Sequence, residues 1–460
     1  MLRVAVLERG RLVRGNSDAE SGEVGTPARR VLPPRLYDRL LRSEAQREDR
    51  GERDVFRWRR DHCLVGPWVG VIQVPGLQLE ILPKIDDSAS PENDAEVCDT
   101  RCNLMEMLLR GGLGAVRARG IADLALKRGS LHDQLVDAFL DRALFELRRG
   151  LDRGYVAEED NLTVLRGKLV LARHIALNAA QRHRFYCRHD VLSEATLISL
   201  RVKQACRVLA ARALPASVLV KCQQVLTLLD EVPDLPFRHR EPDPVFTRQN
   251  ERFADIFSFA SMVLDGQAPD ARRGEVETFS LLFDMEQVFE RYIAAFLATE
   301  VMPRIKDATL HPQAKGKRAH LYEHEGEKVL HMAPDLLLIH EVVGLKRTLI
   351  VDTKWKRLSE KDGGRPSRAD LYQLYAYLHR FDCDRAYLLY PKVAGISPRV
   401  LRAFGRADAH VGTVGVRFVD LNRRLWTREG KDALAKELEE IVRDGLLPTA
   451  PTTAESWGCW

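Results

Sequence analysis

The sequence lacks any apolar run near the ~20 residues that a bilayer-spanning helix needs. It also lacks an apolar leader: Met1-Leu2-Arg3-Val4-Ala5-Val6-Leu7-Glu8 meets charge too early for a signal peptide. Both absences predict a cytoplasmic chain with no membrane contact. Cysteine is scattered. None of Cys63, Cys98, Cys102, Cys187, Cys206, Cys222, Cys383 and Cys459 forms a Cys-x-x-Cys pair, and only Cys98 and Cys102 are close. That spacing argues against a zinc or iron–sulfur centre and predicts reduced thiols. Internal repeats and low-complexity tracts are absent, and so is the Gly-x-x-x-x-Gly-Lys-Ser/Thr phosphate loop. A nucleotide motor, if one is needed, must therefore come from another chain. A net charge of +5 is small for 460 residues. It permits nucleic-acid contact without arguing for it, so the local charge distribution decides.

What is present reads as an ordinary folded chain, 45% apolar and 30% charged, and too long for a single core. About 150 residues per domain suggests two or three domains. Residues 1–85 look β-rich, with strand-like runs at Val4, Val6, 65–74 and 77–82 punctuated by Gly66-Pro67, Gly70 and Pro75-Gly76. The stretches 14–30 and 42–60 are charged and polar, the second of them reads as solvated, and 86–96 reads as an acidic linker or loop. Ser130 is a good N-cap for a helix from Leu131 to Arg149 that ends at Gly150, with further helices expected at about 195–213, 215–230 and 251–265. The C-terminal third alternates. A strand at 279–283 is followed by a helix from Asp284, two strands, a helix opened by the capping box Ser367-Arg368-Ala369-Asp370, a strand at 385–390, a strand at 414–421 and a last helix at 428–445. The expected architecture is α/β, with several domains. Residues 1–95 form a β-rich domain, 96–275 a mainly helical middle region, and 276–460 an α/β domain with a mixed sheet flanked by helices.

Residues 334–354 carry the chemistry. Pro334-Asp335-Leu336-Leu337-Leu338-Ile339 and Leu349-Ile350-Val351-Asp352-Thr353-Lys354 are aliphatic runs, each with an acid at one end, joined by a polar connection from Glu341 to Arg347. If they pair as strands, Asp335 approaches Asp352. Strand alternation aims Asp352 and Lys354 the same way and Thr353 the other. Two carboxylates and one ammonium at a sheet end suit a divalent metal that cuts phosphodiesters: the cation binds phosphate and lowers the pKa of water. Mg2+ needs only one or two carboxylates plus water and substrate oxygens. Lys354 can orient the water or stabilise developing charge. Glu290, on the preceding helix, offers a third carboxylate. Gln373 and Tyr377 share a face of the following helix and can reach the same strand ends.

The joint order of Glu290, Asp335, Asp352-x-Lys354 and Gln373-x-x-x-Tyr377 resembles the PD-(D/E)xK nuclease superfamily, in its RecB-like branch. Further blocks narrow the likeness. Val69-Gly70-Val71-Ile72, Leu79-Glu80-Ile81-Leu82-Pro83-Lys84-Ile85, Val164-Leu165-Arg166-Gly167-Lys168-Leu169, Asp284 to Tyr292, Val351 to Lys356 and Asp370 to Tyr377 occur in order. Together, from about residue 30 to about 445, the chain resembles the McrC family, the nuclease subunits of McrBC restriction systems. The resemblance implies a Mg2+-dependent endonuclease, with Mn2+ as a substitute, that cuts double-stranded DNA. It implies an N-terminal region docked on a McrB-like AAA+ hexamer, a GTPase or ATPase whose hydrolysis it stimulates and which recognises modified cytosine. It also implies Asp335, Asp352 and Lys354 as the catalytic core, with Glu290 and Gln373 in support and Asp335, Asp352 and Glu290 as metal ligands. Residues 14–30, 42–60 and 86–96 look like insertions relative to that family.

From 166 to 207 there are nine Lys or Arg against Asp190 and Glu194, with Phe185 and Tyr186 among them. Such a segment can contact a DNA backbone or the acidic side of a protein. Two other functions compete with a restriction nuclease: a non-cleaving activator of the AAA+ ring, and a solitary RecB-like repair nuclease. Many of the latter use a four-cysteine cluster, for which the spacing here offers nothing.

Overall fold

The computed structural model describes residues 1–16, 25–48, 54–84, 94–111, 130–212, 214–234, 244–266, 279–317, 319–325, 327–342, 345–356, 358, 364–393, 395–404 and 410–446. The chain divides into two compact units. Met1–Leu131 joins Pro269–Trp460 in one, and His132–Ala268 forms the other.

The first unit opens with β1 (Leu2–Leu7), β2 (Arg11–Arg14), β3 (Gly25–Thr26), β4 (Arg29–Leu32), α1 (Pro34–Glu48), β5 (Phe56–Trp58), β6 (His62–Val65), β7 (Trp68–Val74), β8 (Leu77–Leu82) and α2 (Asp94–Arg110). Strands β3-β4-β2-β6-β5 make one sheet, and β1, β8 and β7 lie side by side in another. Val4, Val6, Leu12, Leu79 and Ile81 fill the core they share. The described residues before α2 are mostly strands, but they share one compact unit with the C-terminal part of the chain. The start of the stretch read as solvated, 42–60, belongs to α1. Its buried residues, Tyr37, Leu40 and Glu44, follow helical spacing beneath a highly charged outer face. Glu44 Oε1 accepts the backbone N–H groups of Val55 (2.6 Å) and Phe56 (3.2 Å), so this buried acid serves the entry to β5.

The second unit is built from most of α3 (Leu131–Arg148), then β9 (Gly154–Leu162), β10 (Lys168–Leu169), α4 (Leu171–Asn178), β11 (Phe185–Ser193), α5 (Leu197–Ala210), α6 (Ala216–Leu228) and α7 (Ala254–Asp265). The four expected helices form, and α3 stops before Gly150, whose φ of +120° suits glycine. The antiparallel sheet β10-β11-β9 is a departure from a mainly helical middle region. Acidic β9 gives little strand signal of its own. The sheet also changes the meaning of the basic segment 166–207, because Glu158 and Glu159 of β9 stand opposite His189 and Arg188 of β11. Lys203 is buried, with Nζ donating to the carbonyls of Asp230 (3.3 Å) and Val232. The nine cations are therefore not one exposed face.

The first unit resumes with β12 (Phe279–Asp284), α8 (Met285–Phe296), β13 (Ala308–Pro312), β14 (Ala319–His324), β15 (Glu327–Met332), β16 (Leu336–Val342), β17 (Leu345–Thr353), α9 (Arg368–Arg380), β18 (Arg385–Pro391), β19 (Arg399–Phe404), β20 (His410–Val419) and α10 (Arg428–Leu446). Six strands form a mixed sheet in the order β13-β16-β17-β18-β20-β19. The β16–β17 pair is antiparallel, whereas β17–β18 and β18–β20 are parallel. Leu374, Tyr377 and Leu378 of α9 pack with Ile350 and Leu388 in its core. Strands β13 and β19 and the exposed hairpin β14–β15 were not foreseen. Strand β12 leaves this sheet and completes the N-terminal one, pairing antiparallel with β7. Gly70 makes that approach possible: a Cβ there would lie 2.0 Å from the Leu281 carbonyl oxygen. The fold is mixed α/β. Among the described residues, no helix is long and apolar enough to cross a membrane.

Candidate active site

Strands β16 and β17 pair as the aliphatic runs predict, with Leu336 opposite Val351. Asp335 lies one residue before β16, and Asp352 is next to the end of β17. Asp352 is fully buried, and Oδ2 lies 2.7 Å from Lys354 Nζ. That contact is an ion pair by distance without hydrogen-bond alignment, for neither Asp352 oxygen has a hydrogen-bond partner among the described residues. Lys354 Nζ donates to Gln373 Oε1 (3.3 Å), and Gln373 Nε2 donates to Tyr377 Oη (3.0 Å). The N-cap forms: Ser367 Oγ accepts the Asp370 N–H at 3.2 Å and opens α9, which carries Gln373 and Tyr377 into place, while the Asp370 carboxylate is taken by Lys356 and Tyr390. Four of the expected side chains thus converge.

Thr353 does not turn away from the acids as simple alternation predicts. Its backbone N–H (2.7 Å) and hydroxyl (2.8 Å) both donate to Asp335 Oδ2. Asp335 stands off the end of its strand, outside the pleat, so its carboxylate meets Thr353 rather than stacking on Lys354. Glu290 of α8 accepts from Gln313 Nε2 at 3.1 Å, while the Gln313 N–H donates to the Asp335 carbonyl at 2.7 Å. Gln313 and Ala314 are both left-handed, with φ of +49° and +44°. Strain of this kind persists only where the surroundings impose it, and it often clusters at functional sites. No sequence signal marks Gln313. Asp370 was read only as a cap, yet it is buried, accepts from Lys356 Nζ (3.1 Å), and bears electrostatically on Asp352 and Lys354.

The electrostatics are those of crowded acids. Burial, and then the charge of Asp335, push Asp352 up to about 7 despite Lys354. Burial raises Asp335 against the opposing Thr353 hydrogen bonds. Burial and Asp335 also raise Glu290. For Lys354, burial disfavours the ammonium, but Asp352 and the neighbouring acids outweigh it and the pKa rises. One ammonium thus serves several carboxylates. The orphaned oxygens of Asp352 and the all-oxygen donor set fit a hard divalent cation such as Mg2+. Among the described residues, no group of three or more His, Cys, Asp or Glu could hold a metal alone. Water and substrate oxygens would have to complete the sphere, as is usual for Mg2+.

Fold and site together define an α/β protein whose mixed sheet ends in a buried acid–lysine cluster. A family model described as the McrBC 5-methylcytosine restriction system component matches residues 64–391. The chain belongs to that family. Among solved structures, one chain of the refined half-complex from the tetradecameric assembly of Thermococcus gammatolerans McrB AAA+ hexamers with bound McrC is similar in fold. It is 18% identical with a TM-score of 0.57, covering 95% of this chain and 100% of that one. A chain of the Thermococcus gammatolerans McrBC complex is 19% identical with a TM-score of 0.43, over 65% of this chain and 88% of that one. No curated protein matches the chain.

Proposed function

We propose that this chain is the cutting subunit of a McrBC-type restriction system: a Mg2+-dependent endonuclease of PD-(D/E)xK type that acts on double-stranded DNA while docked on a McrB-like AAA+ hexamer. The observation that carries the reading is Asp352, a wholly buried carboxylate ion-paired with Lys354 at 2.7 Å and making no aligned hydrogen bond among the described residues, in a chain of the McrBC family. The family assignment and the fold likeness to a McrC-containing assembly support the partner.

Asp335 and Asp352 would hold the metal with water and phosphate oxygens, and Glu290, whose charge bears on Asp335, would reach it through water; the bound metal supplies phosphate binding and a more acidic water. The remaining work falls to side chains. Thr353 fixes the Asp335 carboxylate by two hydrogen bonds and leaves its second oxygen for the site. Gln373 accepts a hydrogen bond from Lys354, and Tyr377 accepts one from Gln373, so the ammonium is held by a chain of two side chains on α9. Lys354 then presents a fixed ammonium to the charge that develops as water adds to phosphorus and the bond to the leaving sugar oxygen breaks. The proton lost by water reaches the leaving oxygen through solvent. Preorganisation of this kind is what a phosphodiester cut asks of a protein.

A non-cleaving activator fits less well. At neutral pH an ionised Asp352 costs stability, because burial and Asp335 oppose its charge. A vestigial site has no reason to bear that cost. The test is metal removal. Reconstituted with its AAA+ partner and nucleotide at limiting Mg2+, the protein should lose DNA cleavage while nucleotide hydrolysis, followed in the same tube, continues, and it should recover cleavage with excess Mg2+ or Mn2+. Cleavage that is indifferent to the metal would refute the reading.

A further inference from the structure

The site is held from a distance by the N-terminal sheet. Glu8 follows β1, is 2% exposed, and donates its backbone N–H to the Leu82 carbonyl at 2.8 Å. Its Oε1 accepts the Lys84 N–H (3.1 Å) and the indole Nε1–H of Trp355 (2.6 Å). Trp355 immediately follows Lys354. The Lys354 N–H donates to the Leu389 carbonyl at 2.9 Å, just past the last paired residue of β17, and there the chain leaves the sheet. Trp355 is the first residue beyond it and is buried. On one side its ring packs on Phe289, at 5.3 Å between centroids and 57° between planes. Phe289 adjoins Glu290. A second tie runs in parallel. Strand β12 pairs with β7 along its whole length, and the Met285 N–H donates to the Pro67 carbonyl at 3.2 Å, so α8 and Glu290 issue from the same sheet.

We propose that Glu8 is a positioning residue for the nuclease site: by gripping the Trp355 indole it fixes the strand end that carries Asp352 and Lys354. A hydrogen bond to a carboxylate is directional and strong for its kind. Here it is made where the β17–β18 pairing ends, one residue after the Lys354 side chain that must be aimed at the site. Without the grip, Lys354 keeps its backbone bond to Leu389 but loses the anchor on its C-terminal side, and its contacts to Asp352 and Gln373 loosen. The N-terminal sheet is then part of the cutting machinery rather than only its carrier.

The inference rests on the nuclease reading for its activity arm, so the test has two arms, both on the full-length chain. In the first, backbone amide exchange is compared for wild type, Glu8→Gln, Glu8→Ala and Trp355→Phe. Trp355→Phe keeps an aromatic ring against Phe289 while it removes the indole donor and part of the ring, and Glu8→Ala, which leaves Trp355 intact, separates the lost hydrogen bond from the lost volume. Glu8→Ala and Trp355→Phe should speed exchange at Thr353 to Lys356 at least tenfold while β18 and β20 stay protected. Glu8→Gln, which keeps the acceptor, should restore most of the protection. In the second arm, DNA cleavage by the reconstituted complex should show kcat falling at least tenfold in Trp355→Phe with KM for DNA unchanged, and Glu8→Gln within threefold of wild type. Exchange at 353–356 within twofold of wild type in folded Trp355→Phe overturns the proposal. Retained cleavage in an Asp352→Ala control would instead overturn the nuclease reading and leave the exchange arm to decide the positioning role.

Discussion

A carboxylate that is buried, faces a second carboxylate and has a single ammonium beside it to offset both is unfavourable when ionised. Asp352 meets all three conditions, and its pKa is pushed from an ordinary 3.8 to about 7. The folded metal-free protein therefore binds more protons than the unfolded chain between those values, so Asp352 lowers stability as pH rises from about 4 to about 7. The penalty is absent below the unfolded pKa and complete above the folded one. Asp352→Asn, which mimics the protonated form, should raise the Tm of the metal-free protein at pH 8 and leave it nearly unchanged at pH 4. Equal Tm values for the two proteins at pH 8 would contradict the burial argument. Asp335, Asp352 and Lys354 were legible because two acid-ended aliphatic runs and strand alternation put them together. The Thr353 hydroxyl on Asp335 was not, because Asp335 stands outside the pleat that alternation describes. Gln313 reaches the site only through two consecutive left-handed residues, and nothing in Gln313-Ala314 announces that backbone.

At the scale of elements, strongly periodic segments were readable and masked ones were not. Helix α9 was marked by its cap at Ser367, and β16 and β17 by their aliphatic runs. Helix α1 hid beneath surface charge, and β9 beneath Glu158, Glu159 and Asp160. The pairing of β12 with β7 joins residues about 210 positions apart in sequence, a register that no local pattern reveals. It depends on Gly70, where φ is +132° and an added Cβ would strike Leu281. Gly70→Ala should separate β12 from β7 and displace α8. We expect a loss of stability of about 2–4 kcal/mol, from the strained φ together with a backbone clash. A urea midpoint indistinguishable from wild type would show that β12 is not held as described.

At the scale of the whole molecule, residues 1–131 and 269–460 form one compact unit although 137 residues, His132–Ala268, intervene in sequence. Glu8 and Trp355 are 347 positions apart, as remote as a contact can be from any short motif. The family was readable from ordered blocks, because each block is local. The way the N-terminal sheet grips the site was not, because it exists only once the chain is folded. The account makes cutting and motor stimulation separable properties of one chain. The most direct measurement sets Asp352→Asn against wild type in complex with the McrB-like AAA+ partner, with Mg2+, nucleotide and double-stranded DNA, recording DNA cleavage and nucleotide hydrolysis in the same tube. The account predicts that cleavage is lost while stimulated hydrolysis stays at the wild-type rate. Cleavage at the wild-type rate in Asp352→Asn would contradict it.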